Sequence, residues 1–127
     1  MLFLWRLTAR RNGWGFWSAP KWFYEGAEEY FSLTCSTEHA RTETKRLYIE
    51  DWRKRWMPGY VPSTDERIVY SDGAALLTFM NEQFGPDQMF ALLRDTDPSF
   101  IDAFFRAFRM NTNAFVDRCR IWIESLP

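Results

Sequence analysis

The chain has 127 residues, the length of one ordinary domain, long enough to bury a core and too short for two. Its 16 basic and 17 acidic side chains nearly cancel, so no bulk field draws it to nucleic acid or an anionic membrane, and polymer binding would need a local patch. Aromatic residues make up 19% of it, with 12 Phe and 7 Trp, which predicts an aromatic core with some rings left to line a cleft.

The N-terminal run MLFLWRLTARR places apolar residues before basic ones, the reverse of a secretory signal, and lacks a small-residue cleavage site. No segment approaches the roughly 20 apolar residues of a membrane helix, so no membrane span is expected. Residues 1–19 read as an irregular or remnant N-terminal segment ahead of a helical body at 20–127. An abrupt apolar start is also what a chain cut from a larger domain shows. Cys35 and Cys119 lie far apart and fit neither a CxxC metal pair nor a disulfide framework.

From Pro20 onward the signals are helical. Proline suits a first helical turn and Ser18 is placed to cap it. On a helical wheel Trp22, Phe23, Ala27, Tyr30, Phe31 and Leu33 share one half, and Glu25, Glu28, Glu29 and Ser32 share the other. A second helix is predicted from Thr37 to Trp56, with Tyr48, Trp52 and Trp56 at four-residue spacing, stopped by Pro58 and Gly59. Residues 58–68 read as a loop with room for an extended segment at either end.

Ser71 or Asp72 is the expected cap of a third helix through AALLTFMNEQF, closed by Gly85 and Pro86. Short helices follow at 86–95 and 98–109, the latter opened by Asp97 and Pro98. A last helix over 112–125 puts Phe115, Cys119, Trp122 and Leu126 on one stripe. The fold class is mostly α, a compact helical domain of about five to six helices, without repeats or low-complexity tracts.

Several chemistries drop out. The sequence has neither a Gly-rich phosphate loop nor a GxSxG elbow, and His39 is its only histidine, set on a polar stretch that reads as surface. The cluster Arg53, Lys54, Arg55 between Trp52 and Trp56 has the residue types that stack on bases and hold phosphate. Glu50 and Asp51 adjoin it, and an amphipathic helix with buried tryptophans explains the same residues, so no nucleic-acid partner is expected.

Two stretches remain. PKWFYEGAEEYFS, with Trp22, Glu25, Gly26, Glu29 and Tyr30, resembles the W-x-x-E-G-x-x-E-Y segment of gluzincin metallopeptidases, the zinc aminopeptidase-like superfamily. VYSDGAALLTF, with Tyr70, Gly73, Ala74, Leu76 and Leu77, resembles the Y-x-x-G-A-x-L-L segment found downstream in the same families, and FMNEQFGPDQMFALL looks like the helix, break and next helix that follow. The resemblance spans residues 17–93 and implies the C-terminal helical half of a gluzincin catalytic domain. It implies Glu25 as third zinc ligand, Tyr70 as hydrogen-bond donor to the oxyanion of the tetrahedral intermediate, and a peptide or protein as substrate.

A catalytic zinc takes three protein ligands and a water, two of the ligands here coming from an HExxH helix whose glutamate is the general base. The chain has no HExxH. At the family's spacing of about eighteen residues the histidines would fall at Leu2 and Arg6 and the base at Phe3. No zinc is therefore expected in this chain alone. The resemblance then implies either an incomplete peptidase whose HExxH segment comes from elsewhere or a descendant that kept the fold and lost the chemistry. The alternative is a non-catalytic helical interaction domain that binds a protein partner through exposed aromatics, with Glu25, Glu28 and Glu29 as a solvated face. Asp72, where related peptidases often carry a basic residue, leans toward altered function. Gly26 is the residue that a solvated face leaves unexplained, because it costs about 1 kcal/mol relative to Ala in a helix.

Overall fold

The computed structural model describes residues 10–12 and 19–127. Their helices follow in the order α1 (Lys21–Thr34), α2 (Glu38–Arg55), α3 (Val69–Phe79), a π-helical segment (Met80–Phe84), α4 (Pro86–Arg94), α5 (Phe100–Phe108) and α6 (Thr112–Ser125). The described residues include no strand, and no helix among them is long and apolar enough to cross a membrane. The mostly helical fold class is thus as expected, while loop residues 60–64 take no regular structure.

The amphipathic reading of α1 holds. Trp22, Phe23, Ala27 and Phe31 are buried, Tyr30 and Leu33 half-buried, and Glu28 and Ser32 exposed. Pro20 occupies the cap position without a side-chain cap bond; Ser18 lies outside the described residues, as do Leu2, Phe3 and Arg6. Thr37 caps α2 by accepting from the Ala40 N–H at 3.2 Å. The basic residues Arg53, Lys54 and Arg55 fill its last turn, where a helix end favours positive charge.

Two expected caps are corrected. Ser71 and Asp72 do not open α3; they lie inside it and are buried, and the helix begins at Val69. The N–H groups of Ile68 and Val69 bond to the Asp65 carbonyl at 3.0 and 2.8 Å, so the turn forms upstream, and complete burial of Val69 favours keeping that residue in the helix. Asp97 does not cap α5 either. Ser99 does, accepting from the Asp102 N–H, while the Asp97 carboxylate takes the Ser99 N–H at 2.8 Å. Leu126 falls just beyond α6, though it still packs against the core.

Helix α3 is the central element, buried at every position from Ser71 to Leu77. A helix that is apolar nearly all round needs neighbours on every side, and α1, α2 and α6 supply them. Phe115 of α6 joins the layers. Its ring lies 6.3 Å from Trp22, 5.1 Å from Phe79, 5.0 Å from Phe104 and 5.4 Å from Phe108, mostly at the tilted or edge-on angles that aromatic pairs prefer. At the α4–α5 corner Arg106 reaches Asp95 at 2.9 Å and Asp97 at 2.7 Å. Residues 10–12 form a helical turn tied to the same corner, with Asn12 donating to the Asp95 carbonyl at 2.6 Å.

Helices α1 and α3 come together backbone to backbone. A Cβ built on Gly26 would stand 2.4 Å from the Gly73 Cα, and one built on Gly73 would stand 2.3 Å from the Gly26 Cα. Both distances are far inside van der Waals contact, so only glycine fits on either side. Gly26 is therefore the floor of a helix crossing rather than a weak spot in an exposed face.

Candidate functional site

The crossing sets the geometry of the two family-like stretches. Glu25 precedes Gly26 on α1, and Tyr70 stands one turn before Gly73 on α3, so locking the glycines together places these side chains side by side. Hydrogen bonding toward the Glu25 carboxylate, then the charge of Glu25, a little burial and the charges of Glu28 and Glu66, raise the Tyr70 phenol above its usual range. Tyr70 is 37% exposed, so the pair faces solvent and is open to a ligand. The structure thus brings together the two residues singled out from the sequence.

The dependence can be tested without any ligand. In Glu25→Gln the Tyr70 phenol should fall back toward the ordinary tyrosine value, because the strongest acceptor and the nearest charge are gone together. Tyr24, raised by burial and then by Glu25, moves as well. The Tyr70 part is isolated by comparing tyrosinate absorbance curves with and without Tyr70→Phe. Identical curves for the parent protein and the Glu25→Gln variant after that subtraction would mean that the two side chains do not interact in solution.

Behind the pair lies a charged network that sequence reading does not anticipate. Asp72 is fully buried and accepts from Arg55 at 2.5 Å, Tyr60 at 2.6 Å, the Ser63 N–H at 2.8 Å and the Trp56 indole at 3.3 Å. Arg55 also grips Asp51 at 2.7 Å, and Ser71 donates to Asp51 at 2.8 Å. Burial works against the Arg55 cation, but its bonds to Asp51 and Asp72 outweigh that and hold its pKa above the ordinary value. The same contacts, chiefly the bond from Arg55, pull the Asp51 carboxyl down. Burial first and the bond to Asp72 second raise the Tyr60 phenol. This network ties the end of α2, the loop after it and the first turns of α3 into one block. Asp72 thus has a structural role in holding these three segments together.

The Trp52–Trp56 cluster is absorbed in the same way. Both indoles are buried, at 1% and 2% exposure, and Trp52 donates to the Ser71 carbonyl at 2.9 Å. Neither indole is left on the surface. His39 is exposed, and the Cys119 thiol is buried in the core, where burial and then the Asp72 charge push its pKa well up.

A cleft opens in the α1–α3 seam one to two turns beyond Tyr70, where Tyr30, Ala74 and Thr78 meet Tyr48 and Trp52 of α2. Metal binding is limited by the donor set. The described residues contain no group of three or more His, Cys, Asp or Glu side chains that could hold an ion together, so they offer Glu25 as a single ligand and do not by themselves fit a catalytic zinc. No family model, curated protein or solved structure matches the chain.

Proposed function

We propose that this chain is the third-ligand and oxyanion-donor half of a gluzincin-type zinc peptidase domain, with no catalysis of its own until an HExxH segment is supplied to it. The observation that carries this reading is that Glu25 and Tyr70 interact next to the Gly26–Gly73 crossing, with Tyr70 open to solvent. A carboxylate and a phenol side by side are the two groups such a domain must present from these stretches.

The chemistry of Tyr70 follows from its surroundings. A tyrosine phenol, with an ordinary pKa of about 10, is protonated throughout the neutral range, so the O–H remains a donor. When a peptide carbonyl is attacked, negative charge develops on its oxygen, and a fixed donor nearby lowers that barrier. One such donor is worth about a hundredfold or more in rate.

The test installs the missing pattern at the family's spacing, as Leu2→His, Phe3→Glu and Arg6→His in one chain, or adds an HExxH helix in trans. Elemental analysis should then find stoichiometric zinc, lost in Glu25→Gln. Hydrolysis of an unstructured peptide should fall about a hundredfold or more in Tyr70→Phe with zinc retained. Zinc uptake and hydrolysis that are indifferent to Glu25→Gln, or no uptake in either format, would overturn the reading.

A second reading, a non-catalytic interaction domain, is favoured by a different observation. Ile101 and Phe105 lie four residues apart on α5 and are 60% and 52% exposed. Among the described residues most other aromatics are buried or half-buried.

A further inference from the structure

We propose that the cleft among α1, α2 and α3 is a binding site for a single-ring aromatic carboxylate. Its volume is about 180 Å³, and an apolar cavity of about 150 Å³ is known to hold benzene, so there is room for one ring and a short tail. The walls are aromatic and already in place. Tyr48 lies parallel to Trp52, with ring centres 5.8 Å apart and planes 8° from parallel, and its hydroxyl is fixed on Glu29 at 2.5 Å. Ala74, fully buried on α3, keeps the floor open where a larger side chain would fill it.

The rim supplies the preference for an anion. Arg41 and Lys45 of α2 both line the opening, and among the described residues lining it the one acid is Glu82. Glu82 comes from the π-helical segment, a form that recurs at functional sites, and it bonds to Lys45 at 2.6 Å. That pair is 45% and 39% exposed, so water screens it and little is lost when it opens. A carboxylate entering ring-first brings its charge to the level of Lys45 and replaces Glu82 as its partner. An ammonium at the same place cannot take the Lys45 hydrogen bond and meets its like charge.

The inference does not rest on the peptidase reading, because it needs neither zinc nor Tyr70. The experiment is titration calorimetry on the full chain with phenylacetate and, separately, phenethylamine. Phenylacetate should bind saturably, with Kd about 1 mM or tighter, as expected for a ligand of this size. Lys45→Gln, an exposed change that leaves the core intact, should weaken it about tenfold through loss of a charged hydrogen bond. Thr78→Leu, which fills the cleft, should abolish it. Absence of saturable binding, equal affinity for phenethylamine, or full affinity in Lys45→Gln would each overturn the proposal, and the last criterion holds even if Thr78→Leu fails to fold.

Discussion

Asp72→Ala should lower the midpoint of thermal unfolding by about 10 to 20 °C. The carboxylate is wholly buried and receives hydrogen bonds from four donors on the end of α2 and the loop after it. Deleting it leaves Arg55 half in the protein without its innermost partner and takes the carboxylate acceptor from the Tyr60 hydroxyl and the Ser63 N–H. Breaking a buried ion pair from one side costs about 3 to 5 kcal/mol, and each kcal/mol moves the midpoint of a domain this size by about 3 to 5 °C. Asp51→Asn is the control. Asp51 bonds the same arginine, yet its side chain is 44% exposed, so the change should cost no more than about 1 kcal/mol. Unfolding followed by far-UV circular dichroism reads both. Equal shifts for the two variants would mean that burial of Asp72 is not what gives the network its weight.

Gly26→Ala and Gly73→Ala should each destabilise the protein by about 2 to 3 kcal/mol, the usual cost of forcing an extra carbon into a packed site. The sign is what makes the test sharp. At an exposed helical position the same change stabilises by up to about 1 kcal/mol. Here the new methyl would meet backbone atoms at 2.3 to 2.8 Å, and backbone cannot rotate away as a side chain can. Relief requires α1 and α3 to separate, which also parts Glu25 from Tyr70. Denaturant titration of both variants settles the matter, and a gain in stability for either would show that the helices do not cross so closely in solution. In the chain carrying the HExxH pattern, Gly26→Ala should therefore lower hydrolysis as well as stability.

How much of the site is legible in the sequence can be judged from these same residues. Glu25 and Tyr70 stand out only through resemblance to a family pattern, since a glutamate on a polar helix face and a tyrosine near a helix start are ordinary. Helix propensity marks Gly26 as unexplained, and its explanation, Gly73, belongs to the other stretch without any local sign that the two touch. Asp72 misleads as a cap. An aspartate beside a small-residue run has the look of a cap, and nothing local announces that Arg55, Tyr60 and Ser63 converge on it. The tryptophans of α2 are legible as buried because four-residue spacing is itself the signature of a buried stripe.

The sequence by itself determined where the helices run, which face of α1 turns inward and where the chain breaks at Gly59 and Gly85, both of which adopt positive φ. Turns and hydrophobic period act over a few neighbouring residues, so they are written where they are used, whereas the caps of α3 and α5 shifted with their surroundings. The tertiary structure alone decided that Gly26 meets Gly73, that Asp72 becomes the buried partner of Arg55, and that a cleft forms between Tyr48 and Ala74. Those outcomes depend on which surfaces meet after the chain has folded back on itself. Packing selects them by shape and by the cost of leaving a buried charge unpaired, and neither quantity is carried by any short stretch of sequence.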